Sequence, residues 1–108
     1  MSVGIIAGNV ASLSVIDVSL TPAEVATIVA PAQTFTVPGL KTTDAVISVN
    51  PPSQTAGVAI CNARVSAADT LSIQFVNPTA GALTPAAGTH RIVIARAEGA
   101  ARAGRVLT

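Results

Sequence analysis

The chain has 108 residues, a formal net charge of +1 and a single cysteine, a length that makes one domain around one core. Half of its residues are hydrophobic and only 10% are charged, against about 25% in an ordinary soluble domain. It therefore has no long-range field to gather nucleic acid or anionic lipid, and Cys61 alone excludes an internal disulfide.

The opening thirteen residues are small and apolar, but they lack a basic flank, and the apolar core at Val3 to Ala7 is too short for a signal peptide. No run approaches the roughly 20 apolar residues that span a bilayer. Ser12 to Leu20 has a period of two and predicts the first strand, with Leu13, Val15 or Ile16, Val18 and Leu20 on one face. A one-residue slip near Ile16 reads as a bulge. Thr21-Pro22-Ala23-Glu24 has the form of a helix N-terminus. The β-branched run from Val25 to Val29 and the closing Pro31 oppose it, so this stretch is expected to be extended, with at most a single helical turn.

Gln33 to Val37 predicts a strand, Lys41 to Asp44 a turn, and Ala45 to Val49 a strand that Asn50-Pro51-Pro52 ends. Val58 to Val65 and Leu71 to Val76 form the next pair, joined by a hairpin-like connection in which Ser66 or Asp69 bonds nearby backbone amides. Asn77 to Gly88 reads as loop. Thr89 to Ala97 is the last strand, with Ile92 and Ile94 on one face and Arg91 and Val93 on the other. Six or seven short strands near ten-residue spacing predict an all-β fold, an antiparallel β-sandwich or small barrel, over residues 1–97. Residues 98–108 form a basic, Ala/Gly-rich C-terminal arm, flexible or ordered on a partner.

Catalysis needs at least two positioned titratable groups, and the supply is one His, one Cys and five carboxylates scattered along the chain. The expectation is a protein that is not an enzyme and holds no cofactor or metal. His90, at the start of an apolar strand, reads as a rim side chain, and Cys61 in its apolar run as a small core hydrophobe. Asp17, Asp44 and Asp69 belong to no dense acidic cluster that would hold calcium; turn and cap duties explain Asp44 and Asp69. Charge gathers only at the end, in Arg91, Arg96, Arg102 and Arg105. Arg96, Arg102 and Arg105 are the candidate partner-binding residues, pairing with carboxylates on a neighbouring subunit. A core of Ala, Val and Ile, with Phe35 and Phe75 the sole aromatics, removes little apolar area per side chain. Association with copies of the chain or a large partner would bury more and widen the margin.

Four stretches then carry a resemblance. They are Phe35-Thr36-Val37-Pro38-Gly39-Leu40-Lys41-Thr42-Thr43-Asp44 with Val49-Asn50-Pro51-Pro52, Ala63-Arg64-Val65-Ser66-Ala67-Ala68-Asp69-Thr70-Leu71, and Phe75-Val76-Asn77-Pro78-Thr79. Together with the strand opened by Gly88-Thr89, they resemble a pattern in small virion structural proteins of tailed bacteriophages, over about positions 33 to 96. The resemblance carries no catalytic or metal motif. It implies a capsid decoration or cement protein, made in the host cytoplasm and placed on the capsid surface of the virion. Its expected partners are copies of itself, as a homotrimer, and the major capsid protein, with no direct nucleic-acid and no membrane contact. A small tail or fibre module that binds a receptor or carbohydrate is the alternative, against which the lack of Trp and Tyr counts.

Overall fold

A computed structural model describes residues 9–99 of the chain. Among them are six strands and no helix: β1 (Val10–Leu20), β2 (Ala32–Thr36), β3 (Ala45–Asn50), β4 (Ala59–Ala67), β5 (Thr70–Val76) and β6 (Gly88–Ala97). They form two three-stranded antiparallel sheets, in the orders β1-β6-β3 and β2-β5-β4. This is the all-β sandwich that the strand spacing predicts.

The inner faces make the core. Ile16, Val18, Leu20, Val46, Val49, Ile92 and Ile94 come from one sheet, and Phe35, Ile60, Ala63, Val65, Leu71, Ile73 and Phe75 from the other. Period-two alternation puts these residues on one side of each strand, and side chains from two such faces interdigitate. Val25, Val37, Leu40, Val58 and Leu83 complete the cluster from the connecting segments.

Two predicted details of β1 change. Its register against β6 runs unbroken from Ser12 to Leu20, and the irregularity lies between Val10 and Ser12, not near Ile16. With no slip at Ile16, alternation turns Ile16, Val18 and Leu20 inward and leaves Leu13 and Val15 on the outer face. The β4–β5 connection is also tighter than expected. Ala67 pairs with Thr70, leaving Ala68 and Asp69 as the turn, and Asp69 takes the left-handed conformation at φ 58° that Asp tolerates better than most residues.

The stretch from Thr21 to Pro31 is extended, with a turn at Thr27-Ile28, and the Thr-Pro-Ala-Glu motif starts no helix. It acts as a strap, bridging Val25 to Leu83 and Val29 to Asn77. Side-chain amides fix it. Gln33 exchanges two hydrogen bonds with the backbone of Ala23 (2.8 and 2.9 Å), and Gln74 donates to the Ala30 carbonyl at 3.0 Å. These bonds give an isolated extended segment the partners a helix would have supplied internally.

Asn77 is the hub of this side. It is fully buried, its Nδ2 donates to the carbonyls of Val25 and Gly81 (3.0 and 2.9 Å), and its Oδ1 accepts from the Thr79 amide at 3.0 Å. Gly57 seals the same corner. At φ 91° it sits where a Cβ would lie 2.8 Å from side-chain atoms of both Leu83 and Thr79, so only glycine fits.

Candidate interaction surface

The outer faces of the two sheets differ in kind. On the β2-β5-β4 sheet the outward rungs read Thr34, Ser72, Arg64 and then Ala32, Gln74, Asn62, a mostly polar face on which Thr34, Arg64 and Asn62 are exposed and Ser72 is buried. β5 itself, Thr-Leu-Ser-Ile-Gln-Phe-Val, alternates polar and apolar as a half-solvated strand should.

On the β1-β6-β3 sheet the outward rungs read Leu13, Ala95, Ala45 and then Val15, Val93, Ser48. Here the central strand is apolar at both parities, Ile92-Val93-Ile94-Ala95. Such a run belongs to strands covered on both faces, yet within the described residues only the inner face is covered. Leu13 is 65% exposed and Val15 62% exposed, and Ile47, the extra residue of a bulge in β3, is 58% exposed. The apolar area lies at the end of the sheet where β1 begins and β6 ends. Its other boundary is polar. Asp17 faces Arg91 across the β1–β6 ladder, and Arg91 holds the carboxylate with Nε at 2.9 Å and a terminal nitrogen at 3.2 Å.

The predicted site residues divide. Arg96 meets its carboxylate inside its own chain. Its Nε and a terminal nitrogen both reach Asp44 at 2.7 Å, and the terminal nitrogen also donates to the Gly39 carbonyl at 2.8 Å. The Asp44 side chain is completely buried. The Arg96 hydrogen bonds hold its carboxyl below the usual aspartate value against the opposing effect of burial, and the Lys41 amide, at 2.9 Å, assists. The same carboxylate therefore closes the Lys41–Asp44 turn and anchors β6 to it. Arg102 and Arg105 lie outside the described residues, as does all of the predicted arm beyond Gly99.

Two further expectations are corrected. His90 is not a rim side chain: it faces inward opposite Val18, is 1% exposed, and its Nδ1 lies 2.9 Å from the Gly88 carbonyl oxygen. It lines an apolar cleft of about 260 Å³ with Val49, Pro51, Val58, Ile60 and Phe75. Cys61 is not in the core. It is the extra residue of a bulge between Ile60 and Asn62, is exposed, and has its sulfur 3.4 Å from the Gln74 carbonyl. A bulge breaks period-two alternation, so apolar neighbours are no guide to its burial.

The three aspartates do not converge. Asp17 pairs with Arg91, Asp44 with Arg96, and the Asp69 carboxylate accepts from the Gly39 amide at 2.7 Å. No group of three or more metal-ligating side chains occurs among the described residues. Asn77, which organises the strap, was not singled out by sequence, since an Asn before Pro reads as an ordinary loop opening. No family model, curated protein or solved structure matches the chain.

Proposed function

We propose that this chain is a non-enzymatic virion structural protein of a tailed bacteriophage, a capsid decoration or cement protein that binds the major capsid protein and stabilises the head. The observation that carries this reading is β6, a strand with the side chains of a doubly covered element and, among the described residues, a cover on one face alone. Exposed contiguous apolar area of this sort marks protein-contact surfaces. A cement needs a stiff β body and an apolar face that seats across subunit junctions, stabilising the shell by binding only its assembled form. Sparse charge suits such a contact, because interface cores are depleted in charged residues. The chain works as a homo-oligomer, a trimer in the arrangement that the resemblance implies, and Arg102 and Arg105 are its candidate pairs for carboxylates on a neighbour.

The test uses purified chain and shells that lack it. Binding should saturate in fixed ratio to the major capsid protein and raise the shell's melting temperature. Val93→Glu, a charge in the middle of the outer face, should remove binding while the far-ultraviolet circular dichroism is unchanged. Equal binding by that variant would sink the proposal. A copy number in native particles of only a handful, not stoichiometric with the shell, would transfer the chain to the tail or fibre.

A further inference from the structure

Each sheet has two edges, and three of the four are guarded. β2 is five residues long and lies between Pro31 and Pro38. β3 and β4 border one groove, lined by Val46 to Val49 and Ile60 to Ala63, and each is interrupted by a bulge, at Ile47 and at Cys61. Natural sheets blunt their edges in these ways, by brevity, proline, bulges and charge, because an open edge offers a row of unpaired N–H and C=O groups to another strand.

β1 has almost none of these devices. It is eleven residues long and, among the described residues, lies at the edge of its sheet with β6 on one side only. It contains no proline and no lysine, and its one bulge falls at its very start, between Val10 and Ser12. Its single charge, Asp17, is already held by Arg91. Ala11 to Val15 are all exposed.

We infer that β1 is a self-pairing edge: β1 strands of two copies align antiparallel about a two-fold axis and join two β1-β6-β3 sheets into one six-stranded sheet. Charge selects a second copy as the occupant. A strongly acidic or basic strand finds no complement along Ser12 to Ile16, whereas an identical neutral strand meets no repulsion there. Side-chain order selects the register. The outward residues of β1 are odd-numbered, so registers that keep both outer faces on one side set odd against odd. Placing Asp17 against the partner's Asp17 sets like charges opposite one another, and placing it against Val15 or Leu13 sets a charge against an apolar side chain. Placing it against Ser19 leaves only Ile16 to Leu20 in the ladder, whereas placing it against Ala11, the small residue of the terminal bulge, pairs Ala11 to Asp17 and meets no bulky side chain. That register sets Leu13 across from the partner's Val15, and Val15 across from the partner's Leu13, with Ser14 on the axis.

The pairing stands apart from the capsid proposal. It makes the apolar outer faces of two copies continuous, and it is compatible with a three-fold contact elsewhere, which it would link from one trimer to the next.

The experiment is done on the full chain without shells. In a Cys61→Ser background, Ser14→Cys places two sulfurs on the axis, where directly opposed antiparallel residues have Cα separations of about 4.5–5.5 Å, within disulfide reach. Under mild oxidation it should form a covalent dimer about tenfold or more faster than Ile28→Cys, an exposed control on the strap, because pairing raises the effective thiol concentration. Ser14→Lys, an edge charge, should halve the native mass measured by light scattering while leaving Val93 and the outer face intact. Equal crosslinking rates for the two cysteine variants, or an unchanged mass for Ser14→Lys, would overturn the inference. Neither result bears on shell binding, which Val93→Glu tests separately.

Discussion

β5 and β6 are the central strands of the two sheets, and they differ most on the side turned away from the core. Inward, each supplies bulky side chains: Leu71, Ile73 and Phe75 from β5, Ile92 and Ile94 from β6, all buried. Outward, β5 shows Ser72 and Gln74, flanked by Thr34, Arg64 and Asn62, whereas β6 shows Val93 and Ala95, flanked by Leu13, Val15 and Ala45. The inner alternation is what folding requires, because it alone removes apolar area from water within the chain. Among the described residues nothing packs on the outer face of β6, so its apolar character is left for a contact outside them. The β2-β5-β4 sheet also carries the strap, fixed to it by Asn77, Gln33 and Gln74, while the apolar face and the β1 edge of the other sheet are bare among the described residues.

The largest effect should come from loosening the strap. Asn77→Ala removes one of two donors from each of the Val25 and Gly81 carbonyls, which keep the Leu83 amide and the Thr79 hydroxyl, and takes the acceptor from the Thr79 amide. Buried polar groups stripped of a hydrogen bond cost about 1–3 kcal/mol, so a loss of about 2–3 kcal/mol in urea unfolding is expected. Amide exchange should accelerate selectively at Val25 and Leu83, which bond each other across the bridge. A loss spread evenly over both sheets would show that the strap is not a separate anchored unit.

Next comes the Asp44–Arg96 clamp on the other sheet. The Asp44 carboxyl titrates below its ordinary value, so its contribution is complete above the unfolded aspartate pKa of about 3.9. It is lost as pH falls through the lower folded value. Stability should therefore be flat in this respect from neutral pH to about 4 and then fall. Arg96→Ala removes the main cause of the lowering and leaves burial pushing the other way. That variant should be clearly destabilised at pH 7, yet lose less than the native chain on going to acid. Arg91→Ala should do much less at either pH, because the Asp17–Arg91 pair is well exposed and exposed pairs contribute little. Thermal melts across pH on the three proteins separate these outcomes.

The strands were legible because period two and proline punctuation are local. The bounds of β3, from Ala45 to the Asn50-Pro51-Pro52 stop, and the face assignment of β6 follow from adjacent residues alone. The inner or outer assignment of β1 was not legible. Val15-Ile16 offers two apolar residues in a row, and the partner strand β6, more than seventy positions away, decides which turns inward. The same limit hid the site chemistry. Nothing local ties Arg96 to Asp44, 52 positions earlier, and the surroundings of Cys61 and His90 are not local either, because bulge position and strand facing depend on pairing. The apolar outer face was present in the sequence as Ile92-Val93-Ile94-Ala95, but it registers as a surface only once one side is seen to be covered.

A smaller and opposite effect is expected on the strap. Ile28 holds φ 54° and is 74% exposed, an arrangement that costs a β-branched residue about 1–2 kcal/mol. Its amide nevertheless donates to the Asn77 carbonyl at 2.7 Å, so the backbone is held there by the hub. Ile28→Asn, a residue that tolerates this conformation, should raise stability by up to about 1 kcal/mol. An unchanged or lower melting temperature would mean that the isoleucine side chain repays the strain.

The smallest effect on stability sharpens the comparison most. Leu13→Lys on the outer face of β1 and Thr34→Lys on the outer face of β2 both alter exposed positions of edge strands and should each change stability by no more than about 0.5 kcal/mol. They should part in adhesion. Leu13→Lys should reduce binding of an apolar-surface dye such as ANS and weaken attachment to shells, whereas Thr34→Lys should leave both unchanged. If Leu13 were part of the folding core, its substitution would cost several kcal/mol, as burying an unpaired charge does. Equal stability with unequal adhesion is the pattern expected of a sheet whose second face is completed by another molecule.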